Sequence, residues 1–213
     1  AISRVALDPS RGSILSLIVQ APDLRERIEQ GGIIGYIILL IGLVGLLLAG
    51  ARFVSTVLAQ RSMRVALASD TAEGGHAIAQ LRAASRDPDY RQDADALSAK
   101  LDEIVMVSAE RLRRGLPALA IFAAVSPLLG LLGTVTGMIE TFQVITLFGA
   151  GDPRLMSGGI SQALITTQLG LSVAIPLLLI HSFLQGRVDT LITRLDEAAA
   201  ELFAAGRAGG EKV

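Results

Sequence analysis

Three uncharged apolar runs, each long enough to cross a bilayer, decide what this chain can fold into. The second, Leu116–Phe148, reads LPALAIFAAVSPLLGLLGTVTGMIETFQVITLF and carries no charge from Leu116 to Ile139. At about 1.5 Å of rise per residue, that is enough helix for a hydrocarbon core of roughly 30 Å. Its polar and small residues are patterned. Ser126, Gly130, Gly133, Gly137 and Thr141 fall in one narrow arc of a helical wheel. A face stripped of side chains lets another backbone approach closely, which is how helices associate in lipid. The run therefore reads as an inner-wall helix of an assembly, with Thr134 beside the small-residue face and Glu140 flanking it.

The first run is Gly31–Ala51, GGIIGYIILLIGLVGLLLAGA, where Gly31, Gly35, Gly42, Gly45 and Ala49 form another close-packing stripe. Tyr36 and Arg52 suit its interfacial ends. The third, Ile160–Gln185, has no Asp, Glu, Lys or Arg. Its first half carries Ser161, Gln162, Thr166, Thr167, Gln168 and Ser172 before it turns wholly apolar. Polar groups inside a span need protein or water partners, because lipid offers none. Pro127 and Pro176 lie inside the second and third runs and read as helix-shape residues. A composition 51% hydrophobic, with mean hydropathy +0.55, agrees with a membrane protein. A net charge of −1 and the lack of Trp argue against nucleic acid. There is no cysteine and no His/Cys cluster to suggest a metal, and no cofactor is implied.

Between the first two runs the chain changes character. Nine Lys/Arg and nine Asp/Glu fall from Arg61 to Arg114, while Leu67, Ile78, Leu81, Leu97, Leu101, Ile104 and Val105 recur at loosely helical spacing. Asp87-Pro88-Asp89 reads as a break between two helices. After Arg187, Val188, Leu191, Leu195, Ala198 and Leu202 follow the three-four spacing of an amphipathic helix. Lys/Arg placement orients the spans. The segments following the first, preceding the second and following the third are arginine-rich, and the loop between the second and third offers only Arg154.

The expected layout is an all-α membrane protein with long cytoplasmic helical extensions. It comprises a periplasmic N-terminal segment (1–30), a first span (31–55), a cytoplasmic helical hairpin (56–114), a second span (115–148) and a periplasmic loop (149–159). A third span (160–186) and a cytoplasmic amphipathic helix and tail (187–213) follow. The chain begins with Ala1 rather than Met, so a segment processed or not included is expected before it.

The chemistry available to such a chain is narrow. Glu140 is the one acid in or near a span, yet it lies about 36 Å along the helix from Leu116, which places it at the outer interface. It serves there as a structural or electrostatic group, or in ion transfer. A proton relay needs an ionisable group at mid-depth. This chain offers hydroxyls instead, Thr134 and Thr167, which antiparallel packing of the two spans puts at similar depth. Either they face an ion path with a carboxylate supplied by a partner, or each bonds a carbonyl of its own helix and nothing more. Gln162 either bridges subunits or sits at the outer interface. His181 is an interfacial histidine or a pH sensor. No nucleophile–base set in the polar part suggests an enzyme.

Two segments carry a resemblance. Pro127–Phe142 (PLLGLLGTVTGMIETF) followed by Gly159–Pro176 (GISQALITTQLGLSVAIP) resembles the ExbB/TolQ/MotA family of proton-channel proteins, most of all its ExbB branch. The likeness covers roughly 115–205, with the rest matching in layout. It implies an inner-membrane pentamer whose pore holds the single-span helices of an ExbD-like dimer. Each partner helix would carry a proton-accepting Asp, and the work would pass to a TonB-like protein. The likeness also implies that residues 1–30 are the end of a longer extension. On the matching positions, the family's pore threonines fall on Thr134 and Thr167. Gly130, Gly133 and Gly137, with Ser126, Pro127, Thr166, Gly170 and Pro176, belong to the pore wall or to helix packing. A glutamate that commonly precedes the Ala-Leu of the third-span motif is Gln162 here, which agrees with protonation being handled by the partner. A TolQ-like role in envelope maintenance and a non-conducting scaffold are the competing expectations.

Overall fold

The computed structural model describes residues 24–68, 76–87, 90, 93–149 and 153–210. Expectations for residues 1–23, for Pro88-Asp89 and for the last three residues lie outside that set. The described residues form six helices: α1 (Leu24–Gln30), α2 (Gly32–Ala68), α3 (His76–Arg86), α4 (Ala94–Arg113), α5 (Leu116–Phe148) and α6 (Pro153–Gly210). Among the described residues there is no strand. Three of the helical stretches are long and apolar enough to cross a membrane. Pro127 and Pro176 lie inside α5 and α6, which continue through them.

The helices differ from the expected segments in two places. First, α6 begins at Pro153 rather than near 160, because Pro suits the first helical position and Gly158-Gly159 does not break the helix. Second, the expected two-armed hairpin contains three described helical pieces, the end of α2, α3 and α4. The α4 and α5 helices are divided at Arg114-Gly115, where Gly115 takes φ +84°. That left-handed conformation is open to glycine and strained for other residues. A Cβ on Gly115 would also lie 2.6 Å from Nε of Arg52, which packs across this turn. Gly115→Ala is expected to destabilise the protein by about 1–2 kcal/mol, chiefly through the backbone. A lowered melting temperature of the detergent-solubilised protein would register it.

The chain divides into two compact units. The first, Ala1–Leu39 with Leu128–Gly170, contains α1, the start of α2, the end of α5 and the start of α6. Its helices pack through small residues rather than through a large apolar core. The second unit, Leu40–Pro127 with Leu171–Val213, has two apolar clusters. In one, Met63 and Ala66 of α2, Ile78 and Leu81 of α3, Leu97, Leu101, Ile104 and Val105 of α4, and Leu191 and Leu195 of α6 are buried together. The three-four spacing read from the sequence is the reason: it lines up one apolar stripe per helix. In the other, Ala49, Leu116, Leu119, Ala123, Leu177, Leu184 and Val188 join α2, α5 and α6. The start of α4 is fixed by Asp93, whose Oδ1 accepts hydrogen bonds from the backbone N–H of Asp95 (3.0 Å) and Ala96 (3.2 Å).

Candidate ion-pathway site

Within the first unit, α5 and α6 run antiparallel at unusually close range. A Cβ placed on Gly130 would lie 3.1 Å from both the Thr166 carbonyl oxygen and the Thr167 Cα, and 3.6 Å from the Gly170 Cα. One placed on Gly133 would collide with the Thr166 side chain. On Gly137 it would meet the Gly159 carbonyl and, at 3.0 Å, the Ala163 amide. Gly159 in turn faces the Gly137 carbonyl and Thr141. The pairs step up one helix as they step down the other, which is a continuous antiparallel register. The small-residue face expected to meet another backbone in an assembly is thus occupied by α6 of the same chain. The residues assigned to pore wall or packing, Gly130, Gly133, Gly137, Thr166 and Gly170, pack this pair.

Thr166 is the fixed point of the contact. It is fully buried, and its hydroxyl donates to the carbonyls of Gln162 (2.9 Å) and Ala163 (3.0 Å). Thr141 is buried likewise, donating to Gly137 O at 2.9 Å. The sequence assigned Thr166 to pore wall or packing without saying which, and its burial against Gly133 places it in the packing. The signal that could have told the two apart is the wheel position of Thr166 opposite a column of glycines.

Thr134 and Thr167 are half-buried. The Thr134 hydroxyl donates to Leu131 O at 2.7 Å. The Thr167 hydroxyl has two carbonyls in reach, Ala163 O at 3.2 Å on its own helix and Gly130 O at 3.4 Å on α5. Each hydroxyl therefore bonds its own helix, and Thr167 also links the two. With Gly130 against Thr167 and Gly133 against Thr166, the two threonines lie at similar depth. At 100° per residue, both fall on the same edge of the antiparallel pair. Leu169, which meets Gly31 at the α1–α2 turn and Gly35 of α2, lies on the opposite edge, as does the exposed Glu140. The pair thus presents one edge with two hydroxyls and no carboxylate, away from the contacts with α2.

The polar start of α6 is used inside the chain. Ser161 Oγ lies 3.0 Å from Gln30 Oε1 and donates to it. Gln162 Nε2 would lie 3.0 Å from a Cβ on Gly32, the residue at φ +58° that opens α2. Ser161 thus ties α6 to the end of α1, and the Gln162 side chain lies beside the turn that opens α2.

Ser126, Pro127 and Pro176 belong to the second unit. Ser126 is fully buried and donates to Phe122 O at 2.7 Å, so it is a packing residue. His181 lines a cleft with Arg113, Leu116, Pro117, Gln185 and Asp189, where Arg113 and Asp189 form an exposed ion pair at 3.3 Å. Among the described residues no group of His, Cys, Asp or Glu could hold a metal ion.

The profile of the MotA/TolQ/ExbB proton channel family matches residues 61–197. A protein named as an ExbB homologue of biopolymer transport in Methanothermobacter thermautotrophicus is 31% identical over 189 residues, 80% of this chain and 66% of that protein. The biopolymer transport protein named ExbB-like 1 of Synechocystis is 32% identical over 190 residues, 78% of this chain and 72% of that one. The Tol-Pal system protein TolQ of Haemophilus influenzae is 37% identical over 82 residues, 38% of this chain and 36% of TolQ. The chain thus spans just under two thirds of the first relative and a smaller part of the third. With three helices long enough to cross a membrane and a family profile covering more than half of its length, the chain belongs to the MotA/TolQ/ExbB proton channel family.

Proposed function

We propose that this chain is the ring-forming subunit of a proton-driven motor of the bacterial inner membrane, not an enzyme. The copies form a pentamer around the single-span helices of an ExbD-like dimer, and the complex energises a TonB-like protein for outer-membrane transport. The loop between α5 and α6 faces the periplasm. The arginine-rich α2–α5 connection and the end of α6 face the cytoplasm, following the distribution of Lys and Arg.

One observation carries this proposal: Thr134 and Thr167 share an edge that has hydroxyls and no ionisable group. A hydroxyl whose hydrogen is held by a carbonyl keeps oxygen lone pairs as acceptors. Such an edge can accept a hydrogen bond from a protonated carboxylic acid or from water, but it cannot itself carry the proton. The proton carrier must come in trans, and a carboxylate on a membrane-spanning partner is the group that suits. The likeness to TolQ supports a second possibility within the family, service in a Tol-type envelope system with the same channel chemistry.

The test is purification of the chain together with candidate single-span partners, weighed intact by native mass spectrometry. The expected species is a pentamer holding a partner dimer. A homo-oligomer that takes up no such partner under any condition would replace the motor with a non-conducting scaffold.

A further inference from the structure

We infer that the foot of the α2–α6 groove is a binding site for an anionic phospholipid, with its phosphate on Arg187 and its acyl chain along Phe53 and Phe183. The groove lies within the second unit and is lined by Phe53, Val57, Gln60, Phe183, Leu184 and Arg187.

Three features meet there. Arg187 is exposed but held in place. Its Nη1 donates to Gln60 Oε1 at 2.9 Å, and its Cζ stands 5.0 Å from the centroid of the Phe183 ring. A guanidinium has five donors in a planar fork, so this anchoring leaves most of the fork directed outward and pre-oriented for a phosphate. The charge around it has one sign. The α2 helix contains Arg52, Arg61 and Arg64 and no acid, and α6 has none before Asp189, which pairs with Arg113. Among the described residues no carboxylate pairs with Arg187. Beside the cation lies an apolar surface: Phe53 and Phe183 stack with centroids 6.4 Å apart, and both stay about half exposed, at 47% and 50%.

The position selects the ligand. Phe53 stands just past the first apolar run, beyond Arg52, and Phe183 lies two residues before the end of the third, so the aromatic pair sits at the hydrocarbon edge and Arg187 one turn beyond Phe183. An aromatic below and a cation above, at a boundary between hydrocarbon and water, match a phospholipid end to end. A free anion would use only the arginine. The site requires only that α2 and α6 span a membrane, and it does not depend on the motor proposal.

The experiment is native mass spectrometry of the intact protein released from nanodiscs of phosphatidylglycerol and phosphatidylcholine mixed equally. The expected result is preferential retention of phosphatidylglycerol. Arg187→Gln should reduce that preference about fivefold, the effect of one interfacial cation. Arg64→Gln, which removes a cation of the same field outside the groove, should reduce it less than Arg187→Gln does. Arg187→Lys keeps the charge without the fork and should fall between wild type and Arg187→Gln, which gives a second measure should Arg187→Gln not assemble. Equal retention of both lipids, equal loss in Arg64→Gln, or displacement of the lipid by millimolar inorganic phosphate would each overturn the site.

Discussion

Two adjacent glycines of α6 are expected to respond to alanine with opposite signs. Gly159→Ala should destabilise the protein by about 1–3 kcal/mol, the usual cost of overpacking. Its new methyl group would meet the Gly137 carbonyl and Thr141, and main chain cannot move aside as a flexible side chain can. Gly158→Ala should leave stability unchanged or raise it by up to about 1 kcal/mol, since nothing lies within 4 Å of its Cβ position and alanine is the better helix former. Gly137→Ala should behave like Gly159→Ala, because it faces the same contact from α5. For Gly133→Ala the obstacle is Thr166, which is fully buried and β-branched and so has little room to turn. Thr166→Gly should therefore restore part of the loss, giving a favourable coupling in a double-mutant cycle. Thermal unfolding in detergent, followed by circular dichroism, measures all of these. Equal effects at Gly158 and Gly159 would mean that α5 and α6 are not packed at this register.

Thr167→Val and Thr134→Val are expected to abolish energised uptake while leaving the complex assembled. Valine keeps the shape of threonine and removes the hydroxyl alone. The hydrogen bonds lost, to Ala163, Gly130 and Leu131 carbonyls, are long or local, so the structural cost is about 1 kcal/mol or less. Thr166→Val is the informative contrast. Its hydroxyl is buried in the α5–α6 contact, so its loss should lower stability, with the assembled fraction still active. Transport rates normalised to the amount of assembled complex separate the cases. Wild-type uptake in the Thr134 and Thr167 variants would leave these residues with a packing role only.

The spans were legible because length and the absence of charge are local properties. The α6 stripe of Val188, Leu191, Leu195 and Ala198 was legible for the same reason, since a three-four pattern needs only its own helix. The small-residue faces could be recognised, but not their occupant. A column of glycines states that a backbone comes close, and nothing in Gly130, Gly133 or Gly137 says whether it belongs to the same chain. The left-handed form of the turn at Gly115 was not legible in its own neighbours. The turn lies under Arg52, which is distant in sequence. The same holds for Gln60, Phe183 and Arg187, whose meeting depends on α2 and α6 lying side by side. Of the candidate site, Thr134 and Thr167 were singled out by residue type and family motif. Their shared edge became visible only with the register of the pair, as did the placing of Glu140 on the other edge.

The most direct measurement is proton flux into liposomes holding the chain together with its single-span partner, read with a trapped pH-sensitive dye under an imposed potential. Flux should require the partner's membrane carboxylate and should fall to the empty-liposome level in Thr167→Val and in Thr134→Val. Flux through the chain alone, or undiminished flux in both threonine variants, would contradict a channel in which this subunit supplies hydroxyls and its partner supplies the proton carrier.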